Sequence, residues 1–101
     1  MSNTEKDKQF YEMADEFIAV ANRQSENVDR GKVSAAFLYA AARFNTYISA
    51  SGSSTAGDYA SRKENSIDYF MSEYKKMLEE HFTDYYENFD KYLGNKNKSL
   101  N

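Results

Sequence analysis

The stretch KVSAAFLYAAARFNTYISAS, residues 32–51, holds no acidic residue and only one cation in its interior, Arg43, in a chain that is 29% charged. Val33, Phe37, Phe44 and Ile48 recur at the spacing that puts side chains on one face of a helix. Leu38, Ala35, Ala41 and Ala42 carry apolarity well round the circumference. A helix apolar on most sides is either buried on several of them or spans a membrane. Arg43, Asn45 and Thr46 interrupt the run before the roughly 18 to 20 apolar residues that spanning needs, which excludes a membrane segment. The stretch is therefore expected as the central helix, about residues 32–50, of an all-α bundle, its alanines letting neighbouring helices approach closely.

The rest of the chain reads as helix too. There is no proline, and Gly31, Gly52, Gly57 and Gly94 all lie between or beyond periodic segments, so the punctuation divides the chain into three long helical stretches without strand signals. In the first, Phe10, Met13, Ala14, Phe17, Ile18 and Ala21 alternate with acids in an amphipathic pattern, predicting a helix over about residues 4–25. Ser2 and Glu5 have capping-box spacing, with Asn3 or Thr4 as other caps. Gly31 is expected to supply the turn before the second helix.

The small, polar stretch SASGSSTAGD, residues 49–58, reads as a flexible loop, centred on residues 51–58, and Ser61 with Glu64 forms an S-x-x-E box opening a third helix. Asp58 is the other cap. Ile67, Met71, Tyr74, Leu78, Phe82, Tyr85 and Phe89 then recur at a mean of about 3.67 residues per step, a nearly straight stripe widened by Phe70, Met77 and Leu93. An unbroken helix over residues 60–93 would run about 50 Å against about 30 Å for each of the others. The overhang carries Phe82, Tyr85, Tyr86, Phe89, Tyr92 and Leu93, and that much apolar surface calls for cover. The same region of a second copy supplies it most economically. The other solution is a break near Thr83 and a short fourth helix folding back. The expectation is a three-helix, or with that break four-helix, antiparallel bundle with a long aromatic third helix, dimeric, and a disordered tail over residues 95–101.

Composition narrows function mainly by exclusion. At 101 residues the chain makes one domain able to bury about two-thirds of its unfolded surface. With no cysteine it has no disulfide, no thiolate nucleophile and no thiolate metal site. Thirteen bases against 16 acids give a net charge of −3, and the field of such a chain does not favour nucleic acid. The charged N-terminal segment lacks the pattern of a secretory signal, so a cytoplasmic location is expected.

Few residues offer chemistry. His81, the single histidine, lies along the apolar stripe and reads as a boundary side chain. Helical bundles hold di-iron sites through Glu-x-x-His on paired helices, yet Glu79 and Glu80 precede His81 directly and no Glu stands three residues before it. A ferritin-like metal site would have to draw on Glu12, Asp15, Glu16, Glu79, Glu80 and His81. Glu73, Glu80, Asp84 and Glu87 line up opposite the apolar stripe as a solvated face, with ion pairs to Lys76 and Lys91. Arg43, with Asn45, reads as a polar anchor: a cation in an otherwise uncharged helix either pairs, for instance with Glu12, Asp15, Glu16 or Glu79, or reaches solvent, and an anion-binding role is the other reading. No G-x-S-x-G element or glycine-rich phosphate loop is present. The nine tyrosines at helical spacing read as core or interface rather than base-stacking platforms.

The blocks ADEFIAVANRQ, VDRGKVSAAFLYAAARFNTYISAS and IDYFMSEYKKMLEEHFTDYYENF resemble a small bacterial family known as domain of unknown function thirty-one forty-four, over about residues 10–90. The resemblance implies a compact helical bacterial protein with no established activity, cofactor or catalytic residues. Taken together, these features predict a non-enzymatic, homodimeric interaction or scaffold module without cofactor, its interface built from Phe82, Tyr85, Phe89, Tyr92 and Leu93, with a further protein partner open. The alternatives are a ferritin-like metal binder and a binder of anionic small molecules at Arg43.

Overall fold

The computed structural model describes residues 5–94, and every regular element in that range is helical. The order is α1 (Lys8–Gln24), α2 (Arg30–Ser51), α3 (Ala56–Ser61), α4 (Lys63–Glu87) and α5 (Phe89–Leu93). Two units divide between Ser51 and Gly52. The first contains α1 and α2, the second α3, α4 and α5.

In the first unit α1 begins at residue 8, because Asp7 takes the cap: its Oδ1 accepts the N–H of Phe10 at 2.9 Å. The caps expected at residues 2–4 lie outside the described residues. Phe10, Ala14, Phe17 and Ala21 share one face of α1, and the Phe17 ring meets Phe37 of α2 at 6.5 Å between centroids. α2 starts two residues before its expected position. Asp29 caps it, accepting the N–H of Lys32 at 3.1 Å, so Gly31 sits inside the first turn rather than in the connection. Val33 follows at 6% exposure, the one buried side chain among the described residues.

The second unit departs further from expectation. The loop placed at residues 51–58 shrinks, because α3 occupies residues 56–61. Thr55 caps it by accepting the N–H of Asp58 at 3.0 Å. Ser61, expected as a cap, donates instead to the Asp58 carbonyl at 2.7 Å. Asp58 ties the turn from both ends, accepting from the Ser54 N–H at 2.9 Å and from Arg62 Nη2 at 3.3 Å. Arg62, at φ −91° and ψ −3°, separates α3 from α4 by one residue.

The long third helix is also interrupted, at Asn88 rather than near Thr83. Asn88 takes φ −119° and ψ 29°, and its side-chain amide donates to the Asp84 carbonyl at 3.1 Å and to Asp84 Oδ1 at 2.9 Å. An asparagine amide that bonds back to the preceding turn competes with the helical ladder, which is the physical reason for the break. α4 is thus 25 residues, about 37 Å, and the single helix of about 50 Å expected over residues 60–93 is divided at Arg62 and Asn88, leaving α4 and α5 with the last two residues of α3. The tail over residues 95–101 lies outside the described residues. No helix of the described residues is long and apolar enough to cross a membrane.

Candidate functional site

Seven acids and three bases leave α4 at net −4, yet one of its faces is apolar along its whole length. At 100° per residue, Phe70, Met77, His81, Tyr74, Ile67, Tyr85, Leu78, Met71 and Phe82 fall within an arc of about 140°. Glu73, Glu80 and Asp84 run along one border of this stripe, Asp68 and Glu79 along the other. The stripe is largely exposed, from 37% at Met77 to 68% at Met71 and 73% at Phe82, with Phe70 half-buried. Phe89, Tyr92 and Leu93, on α5, continue the exposed apolar surface.

A polar staple fixes the end of this surface. Tyr92 donates its hydroxyl to Asp84 Oδ2 at 3.1 Å while Asn88 holds Oδ1, and the Tyr85 and Tyr92 rings pack at 4.7 Å between centroids, tilted by 37°. The Asp84 carboxylate beside it raises the Tyr92 hydroxyl above the usual tyrosine pKa. Lys91, expected to pair with an acid, lies 5.7 Å from the centroid of the Tyr92 ring. The sequence reading missed this staple, although Asp84, Asn88 and Tyr92 stand four residues apart, the spacing of neighbours on one helix face.

α2 presents the opposite charge. With Arg30, Lys32 and Arg43 and no acid it carries +3. Tyr39 and Tyr47 stand four residues either side of Arg43, so the three form one strip with Ala36 and Ala40 beside it. Tyr39 is 72% exposed and Tyr47 62%. Among the described residues no carboxylate pairs with Arg43, whereas Lys8 pairs with Glu12, Arg62 with Asp58 and Lys76 with Glu73. Asn45 is half-buried on the same helix.

The metal candidates are not assembled. Glu12, Asp15 and Glu16 lie on α1, Glu79, Glu80 and His81 on α4, and among the described residues no group of three His, Asp or Glu side chains could hold a metal ion. Lys76, Glu79, Glu80 and Thr83 line a shallow, open depression on the polar side of α4.

The chain is a small all-α protein with exposed aromatic faces of opposite net charge on α2 and α4. The chain belongs to the family described as protein of unknown function (DUF3144), whose model matches residues 10–86. It is similar to a protein solved by NMR, NB7890A from Shewanella sp., at 40% identity and TM-score 0.72, over 90% of this chain and 95% of that one. No curated protein matches the chain.

Proposed function

We propose that the chain is a non-enzymatic interaction module that acts as a homodimer in the cytoplasm, with Phe82, Tyr85, Phe89, Tyr92 and Leu93 in the interface and the expected bundle completed by the second copy. One observation carries this reading: the apolar stripe of α4 is exposed along its length, with Ile67 at 46%, Met71 at 68%, Phe82 at 73% and Tyr85 at 47%.

Apolar stripes as long as that on α4 mark contact surfaces, and closed two-fold pairs are the commonest way soluble chains cover them. Aromatic side chains are also the residues that dominate interface energetics. The test is the mass in solution, by size exclusion with light scattering over a hundredfold range of concentration. A mass near twice 11.7 kDa is expected. A monomer at every concentration, with helix content intact, would refute the proposal. Replacing Tyr85 and Phe89 together by serine should lower the mass to that of one chain.

A further inference from the structure

The homodimer reading leaves open what the α4 stripe meets. The simplest partner, the same stripe on the second copy, is disfavoured by charge. Glu73, Glu80 and Asp84 all lie on one border, with Lys76 paired to Glu73, and in an antiparallel self-pair that border faces itself with an excess of carboxylate over ammonium on both sides. A parallel pair still sets one helix of net −4 against another. Like-charge juxtaposition of this kind is what interfaces avoid.

The chain carries a surface that complements the stripe in both respects. The Tyr39–Arg43–Tyr47 strip of α2 is aromatic, exposed and basic, on a helix with three cations and no acid. Its central cation lacks a carboxylate partner among the described residues, and Ala36 and Ala40 leave room for a neighbouring helix to come close. Arginine set between aromatic rings is also a common anchor at protein interfaces.

We infer that the acidic, aromatic end of α4 of one copy seats on the Tyr39–Arg43–Tyr47 strip of α2 of a second copy. The pairing is reciprocal: each chain offers one basic and one acidic face, so two contacts related by a two-fold axis cover both faces on both chains and leave nothing to propagate. The inference rests on the homodimer reading and adds which surfaces meet.

Charge reversal in separate chains tests it. One variant carries Arg43→Glu. The other carries Glu79→Lys with Glu80→Lys, one on each border of the stripe. Each alone places like charges at both contacts of its own dimer and should raise the dimer dissociation constant about 100-fold. Mixed in equal amounts they form a heterodimer in which both contacts again join opposite charges, and dimer mass should return to nearly the wild-type level. Arg43→Gln, which removes charge without reversing it, should give about a tenfold loss that the lysine variant restores only in part, because one of the two contacts in the mixed dimer stays uncharged on the α2 side. Circular dichroism confirms that each variant keeps its helices, as exposed positions should allow.

The outcomes separate the two proposals. If Arg43→Glu dimerises like the wild type, the α2 strip is outside the interface, and the homodimer stands without this inference. If both variants are weakened but the mixture does not recover, the two faces do not meet across chains and the inference fails. A wild type that is monomeric throughout overturns both.

Discussion

Phe82→Ala distinguishes a covered stripe from a bare one. On the single chain Phe82 is 73% exposed, so about a quarter of the side chain is already out of water. Fully burying a phenylalanine contributes about 1.5 to 3 kcal/mol, and the remaining three-quarters therefore represents about 1 to 2 kcal/mol per copy. A two-fold interface contains the residue twice, so the dimer loses about 2 to 4 kcal/mol, a rise of about 30- to 1,000-fold in dissociation constant. If the stripe faces solvent instead, the substitution stays within about 0.5 kcal/mol, the ordinary range for a surface position, and alanine's better helix propensity offsets part of even that. Sedimentation equilibrium of wild type and variant measures the constant directly. Val33→Ala provides the contrast. Val33 is buried within its own chain, and losing two methyl groups there costs about 2 kcal/mol with the cavity included, or about 8 to 16 °C in Tm. Phe82→Ala with an unchanged dissociation constant, beside a Val33→Ala chain that melts early, would refute the argument from exposure.

Two further predictions follow from the hydrogen bonds of the second unit. Tyr92 donates to Asp84 and its pKa is raised, so the staple contributes fully below the ordinary tyrosine value of about 10 and is lost as pH rises through the higher folded value. Ultraviolet titration should reveal one tyrosine ionising late, and Tyr92→Phe should remove it; an unchanged titration curve would place the bond elsewhere. Asp58 behaves oppositely. The Ser54 N–H, and then Arg62, hold its carboxyl below the usual carboxylate range, so the turn it ties is stabilised above about pH 4 and loosens as pH falls through the lower folded value. Carbon NMR titration of Asp58 reports the shift, and Asp58→Asn should abolish the acid-dependent loss of helix in α3; equal loss in both chains would contradict it.

The helical class was legible because hydrophobic period and the positions of glycine carry it. The stripe from Ile67 to Phe89 set the axis of α4, and the apolar circumference around Phe37 and Phe44 set α2. Boundaries were less legible, for reasons that can be assigned to particular side chains. Asp7, Asp29 and Thr55 each cap a helix through a single hydrogen bond of 2.9 to 3.1 Å, and the sequence offers several other Ser, Thr and Asp residues nearby with equal claim. Asn88 breaks the last helix without glycine or proline, by turning its amide back onto Asp84, a local competition that leaves no mark on the hydrophobic period.

The candidate surfaces show the same division. Phe82, Tyr85 and Phe89 stood out in the sequence because they continue the hydrophobic period beyond the length expected of the first two helices, although α4, at 25 residues, is only three longer than α2. Tyr39 and Tyr47 were not, since α2 is apolar nearly all round and periodicity alone cannot say which sector stays in water. What singles them out is Arg43 between them. A cation in the interior of an otherwise uncharged stretch reaches either a carboxylate or solvent, and here it is exposed, with Tyr39 and Tyr47 one turn to either side. Given the net charge of −4 on α4, the same residue that looked like an internal anchor is the most informative position for a charge reversal. Its effect on dimer mass depends on where the acidic helix sits, and its effect on the fold of its own chain should be small.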